Sequence, residues 1–88
     1  MSYSILLEGE ARESLRRLDK ATKIRIFKKL EQLKREDIKS RHMKHGLPYF
    51  VEEAGQFRIV FSVDEAAKLK KAYFIGSHKE YEDWYSTK

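Results

Sequence analysis

Gln56-Phe57-Arg58-Ile59-Val60-Phe61-Ser62-Val63 is the stretch that decides the fold. Phe57, Ile59, Phe61 and Val63 share one face at period two, and Arg58, Val60 and Ser62 share the other. That is the pattern of a β-strand with a buried face. On its N-terminal side Ala54-Gly55 predicts a tight turn, and on its C-terminal side Asp64-Glu65-Ala66-Ala67-Lys68 predicts a second. The runs beyond them, Tyr49–Glu53 and Leu69–Ile75, are rich in aromatic and β-branched residues and read as strands. Connections this short allow only antiparallel pairing, so the three strands form a meander.

Moving outward, Pro48 beside Gly46 marks the entry to the meander, and Pro48 biases Leu47 toward extended backbone. Upstream the period becomes helical. Ile26, Leu30 and Leu33 make one stripe, with Phe27 on its flank, and Asp19 is placed to cap that helix. Ala11, Leu15 and Leu18 make the stripe of a shorter helix before it, so the two read as an antiparallel αα-hairpin. Tyr3, Ile5 and Leu7 alternate as a first strand, whose partner in the sheet the pattern leaves open. Downstream, Gly76-Ser77 ends the last strand, Ser77 is a fitting N-cap, and a terminal helix runs from His78 to about Tyr85. The order β-α-α-β-β-β-α, in one domain spanning residues 1–88, is α+β.

The chain has 88 residues, 41% hydrophobic, with five Phe, five Tyr and one Trp, which suits a folded core rather than a disordered chain. A domain of this size buries only about 60% of its unfolded surface, so a partner that covers exposed surface adds stability. No cysteine is present, which removes disulfides and thiol chemistry and suits a reducing, cytoplasmic compartment. No apolar run reaches the roughly 20 residues of a membrane span, and the first residues do not read as a signal peptide. Four scattered glycines offer neither a P-loop nor a dinucleotide fingerprint. His42 and His45 stand at i, i+3, but no carboxylate accompanies them, so they read as part of a basic stretch. No metal and no cofactor are expected.

The net charge is +5. Arg12 to Lys44 holds thirteen basic and five acidic residues, a net +8, against −3 for the remainder. Such a field attracts a phosphate backbone or an acidic protein, and Lys28 and Lys29 lie outside the apolar stripe of their helix. Arg58 sits mid-strand, either paired across the hairpin with Glu52 or Glu53 or lining a groove as a bidentate phosphate donor. The terminal segment concentrates His78, Tyr81, Trp84 and Tyr85. A histidine exchanges protons near neutral pH, and aromatic rings either stack on bases or dock a helix onto a sheet.

Gly55-Gln56-Phe57-Arg58-Ile59-Val60-Phe61 and Gly76-Ser77-His78-Lys79-Glu80-Tyr81, in this order and at this length, resemble the RelE/ParE superfamily of bacterial and archaeal toxins over nearly the whole chain. The resemblance implies an mRNA endonuclease that acts on the ribosome without metal and is held inactive by an acidic antitoxin. In that chemistry a 2′-OH attacks the adjacent phosphate. By position, the catalytic roles fall on Arg58, His78, Tyr81 and Tyr85, with Trp84 a further stacking residue. RNA and ribosome contacts fall on Lys44 and His45, which enter the meander, and on Lys28 and Lys29. The sequence departs from the family at Glu52 and Glu53, where relatives often carry basic residues; one of the two carboxylates then serves as a base. The alternatives are a ParE-like inhibitor of DNA gyrase, or a degenerate member that binds RNA or antitoxin without cleavage.

Overall fold

The computed structural model describes residues 3–35, 41–42 and 49–86, with 41–42 and Tyr85 described by their backbone alone. Strand β1 (Ser4–Leu7) leads into helix α1 (Gly9–Arg17), and Leu18 and Asp19 connect it to helix α2 (Lys20–Leu33). Then come β2 (Arg41–His42), β3 (Phe50–Ala54), β4 (Phe57–Asp64), β5 (Leu69–Ser77) and α3 (His78–Ser86). The expected meander forms as β3, β4 and β5, each antiparallel to the next. The sheet is nevertheless mixed, in the order β1-β5-β4-β3-β2, because β1 lies parallel to β5 at one edge. Arg41–His42 adds a short antiparallel strand beside β3 that the sequence analysis did not include. Two residues carry too little alternation to announce a strand; their pairing with β3 defines it.

Helices α1 and α2 cover one face of the sheet. Ala11 and Leu15 of α1 and Ile26, Leu30 and Leu33 of α2 pack with Ala54, Ile59, Phe61, Ala72 and Ile75. Asp19 caps α2 as expected, its carboxylate accepting from the Thr22 N–H at 3.2 Å and the Thr22 hydroxyl at 2.6 Å. These bonds hold the Asp19 carboxyl below its ordinary pKa of 3.8. Phe27 does not join the stripe. It is 50% exposed, and Ile24 is 47% exposed, because a step of three to four residues carries both to the outward face of α2.

Helix α3 covers part of the other face, where Val60, Phe74 and Tyr81 form a second cluster flanked by Tyr49, Val51 and Trp84. A bulge between Val60 and Phe61 serves this layer. Val60 pairs with Phe74 and Phe61 with Ala72, so Tyr73 is the extra residue. The Tyr73 ring lies 5.4 Å from that of Tyr49, and its hydroxyl accepts from Ser62 at 3.3 Å.

Candidate functional site

The β3–β4 turn comprises Gly55 and Gln56, one residue beyond the expected Ala54-Gly55, since Ala54 still pairs with Phe57. Gly55 takes φ +64°, the left-handed conformation that favours glycine in such turns. The register that follows puts Glu53 opposite Arg58 and Arg58 opposite Gly76. These residues, with Val51, Val60 and Phe74, alternate onto the α3 face. Glu52 alternates onto the other face, where it meets Lys29 of α2 at 3.8 Å.

The two glutamates are thereby separated, and only Glu53 accompanies Arg58. Nη2 of Arg58 lies 3.8 Å from Glu53 Oε2, and Nη1 donates to the Phe57 carbonyl at 3.2 Å. The Arg58 side chain is 17% exposed and that of Glu53 49%. The guanidinium is therefore held by its own strand, while its carboxylate partner is half-exposed to water, an ion pair worth about 1 kcal/mol or less. Across the ladder Gly76 brings no side chain toward Arg58. A Cβ there would stand 2.6 Å from Phe74 Cζ and 3.0 Å from Glu80 Oε1, so packing requires glycine.

His78 opens α3. Its N–H donates to the Gln56 carbonyl at 3.0 Å, which continues the β4–β5 ladder and makes His78 the diagonal neighbour of Arg58, roughly 7–8 Å away between Cα atoms. Ser77 and Glu80 form a capping box: Ser77 N–H donates to Glu80 at 2.8 Å, and Glu80 N–H to the Ser77 hydroxyl at 3.2 Å. The imidazole is exposed, and its Nε2 lies 3.4 Å from Glu82 Oε2 one turn on. Arg58, Glu53, His78 and Glu82 thus gather at one end of the sheet, three potential proton carriers beside a cation. The Ser77-x-x-Glu80 and His78-x-x-x-Glu82 spacings are the sequence signals that place Glu80 and Glu82.

Tyr81 and Trp84 take a different place. Tyr81 is buried against Val60 and Phe74, so its ring docks α3 onto the sheet. Trp84 is half-buried, its ring 5.4 Å from Phe74 and 5.9 Å from Tyr49. Helical spacing from Tyr81 to Trp84 puts both on the docking side of α3. Lys28 is exposed on α2, and Lys29 is engaged with Glu52. Lys44, His45 and the Tyr85 side chain lie outside the described residues. Among the described residues no helix is long and apolar enough to cross a membrane.

Comparison of the sequence with protein-family models and with curated proteins finds no match. Solved structures do match. The toxin–antitoxin complex RelBE2 of Mycobacterium tuberculosis contains a chain that superposes with TM-score 0.77 at 15% identity, over 89% of this chain and 93% of that one. The archaeal RelE–RelB complex of Pyrococcus horikoshii gives 0.69 at 20% identity, over 88% and 96%. The isolated E. coli RelE toxin gives 0.71 at 14% identity, over 97% of both chains. The class is therefore an α+β domain whose sheet lies between a helical hairpin and a terminal helix. Within that class, the fold is that of the RelE toxins.

Proposed function

We infer that the protein is the toxin of a toxin–antitoxin pair and an endoribonuclease that cleaves mRNA on the ribosome. The observation that carries this reading is the presentation of Arg58 and His78 as ladder neighbours at the open end of a RelE-type sheet. In the reaction the 2′-oxygen bonds to phosphorus, the bond to the 5′-oxygen breaks, and a proton leaves the first oxygen as another reaches the second. Charge grows on the phosphoryl oxygens, and Arg58, already held by the Phe57 carbonyl, offers donors to it without reorganising. Its weak tie to Glu53 is readily exchanged for phosphate. In this reading Glu53 accepts the 2′ proton and His78 supplies one to the leaving oxygen, which the contacts of Glu53 with Arg58 and of Glu82 with His78 support. The cognate antitoxin is an acidic protein, matched to the basic helices.

Primer extension on a defined mRNA translated with added protein tests the reading, with cleavage between bases of ribosome-bound codons as the expected result. Arg58→Ala should slow single-turnover cleavage about 10²–10³-fold, and His78→Ala about 10²–10⁴-fold. Parental rates in both variants would overturn the assignment. Absence of any cleavage, with inhibition of gyrase instead, would make the protein a ParE-like inhibitor.

A further inference from the structure

The β3–β4 turn and α2 enclose a cleft of about 230 Å³ lined by Arg25, Lys28, Lys29, Gln32, Glu53 and Gly55. The first four come from successive turns of one helix face, at i, i+3, i+4 and i+7. Arg25 lies across the turn: a Cβ on Gly55 would stand 2.8 Å from its Nη1 and 3.2 Å from its Cδ. Two of the lining residues have their charges already engaged, Lys29 with Glu52 and, on the α3 face of β3, Glu53 with Arg58, each at 3.8 Å. Among the described residues no carboxylate pairs with Arg25 or Lys28. Two cations beside a concave surface also lined by an amide side chain and a glycine turn suit a phosphodiester, whose single negative charge is shared by two oxygens that both accept hydrogen bonds.

We propose that this cleft is a second phosphate-binding site for the RNA strand, distinct from the site at Arg58. Resting on the RNA reading above, it adds to it where the strand continues. Glu53 joins the two sites, since it lines the cleft and pairs with Arg58, and Gly55 lies roughly 7 Å along the strand from it. A single-stranded backbone covers that span within one or two phosphates. The strand therefore leaves Arg58, passes the rim of the β3–β4 turn and enters the cleft beneath Arg25, so the cleft fixes register while Arg58 faces the reacting phosphate.

The test is binding of a fluorescent oligoribonucleotide, 2′-O-methylated throughout so that it is not cleaved, followed by anisotropy over a salt series. Arg25→Ala/Lys28→Ala should weaken binding about tenfold or more and lower the salt slope by about 1–2. Lys28→Glu, an exposed single change, should weaken it at least as much per charge altered and guards against a folding defect in the double variant. Arg16→Ala/Arg17→Ala removes the same charge from α1 and should alter affinity less than about threefold. Equal losses in the two double variants would overturn the proposal in favour of a diffuse basic field. Retained RNA affinity with lost affinity for the acidic antitoxin would overturn it in favour of a peptide groove. Cleft-dependent binding without cleavage of the unmodified strand would leave the cleft standing and remove only the nuclease reading.

Discussion

Lys70 is the buried charged side chain among the described residues, 4% exposed. Its ammonium donates to the Leu33 carbonyl at 2.6 Å, satisfying the C-terminal end of α2, and lies 4.6 Å from the Tyr3 ring centroid and 5.7 Å from that of Phe61. Burial lowers its pKa from 10.5, with Glu52 and Glu65 acting in the opposite direction. The folded state therefore binds fewer protons than the unfolded chain just below pH 10.5, so burying the Lys70 charge costs stability that is recovered as pH rises through that window. Lys70→Met should destabilise the fold by about 1–3 kcal/mol at pH 7, since it orphans a buried carbonyl. Urea melts at pH 7 and pH 10 should show the gap to the parent widening at the higher pH. Glu53 supports a second prediction. If its carboxylate takes the 2′ proton, Glu53→Gln should slow single-turnover cleavage about 10²-fold or more. Faster cleavage with tighter RNA binding would show instead that Glu53 only screens Arg58.

At the scale of elements, α3 is held by its first turn and by Tyr81. The Ser77–Glu80 capping box satisfies two otherwise orphaned N–H groups beside His78, and the Gln56 carbonyl takes a third. Ser77→Ala should cost about 1 kcal/mol in chemical denaturation. Because the same cap orients His78, it should also slow cleavage with little effect on RNA affinity. Gly76 is fixed by the same junction: a Cβ would drive Phe74 and Glu80 apart, and both hold α3 against β5.

Across the whole molecule, surfaces of different character are separated. The end of the sheet carries Arg58 and His78, and the adjoining cleft carries Arg25 and Lys28. The outward face of α2 shows Ile24 and Phe27 between Lys20, Lys23 and Lys28. On the toxin reading proposed above, that face suits an acidic amphipathic antitoxin segment in both charge and apolar anchors. Co-expression with the product of the neighbouring reading frame should yield a complex that weakens with salt. Phe27→Ser should weaken it roughly tenfold by calorimetry while leaving the thermal midpoint of the free protein within a few degrees, because half of that ring is already in water.

The sequence by itself determined the elements whose cause is local. The alternation of Phe57, Ile59, Phe61 and Val63, the stripe of Ile26, Leu30 and Leu33, the Asp19 cap and the short turns all state their structure within a few residues. The α+β order followed from them; Arg58 stood out only as a charge in mid-strand, and the roles given to it and to His78 came from the resemblance of their two motifs. Only the tertiary structure decided the rest, because it depends on partners far apart in the chain. β1 lies parallel to β5 some 65 residues away, Ser4 against Leu69. The one-residue alternation of β3 sent Glu52 to Lys29 and Glu53 to Arg58, a split that hangs on register. Tyr81 and Trp84 had the spacing of a docking face, and only the packing of α3 on Val60 and Phe74 showed what that face meets. Nothing local marks Lys70, within the Leu69–Ile75 run, as buried; Leu33, 37 residues away, supplies its acceptor. Periodicity tells which face a residue takes; what waits on that face is set by how the elements come together.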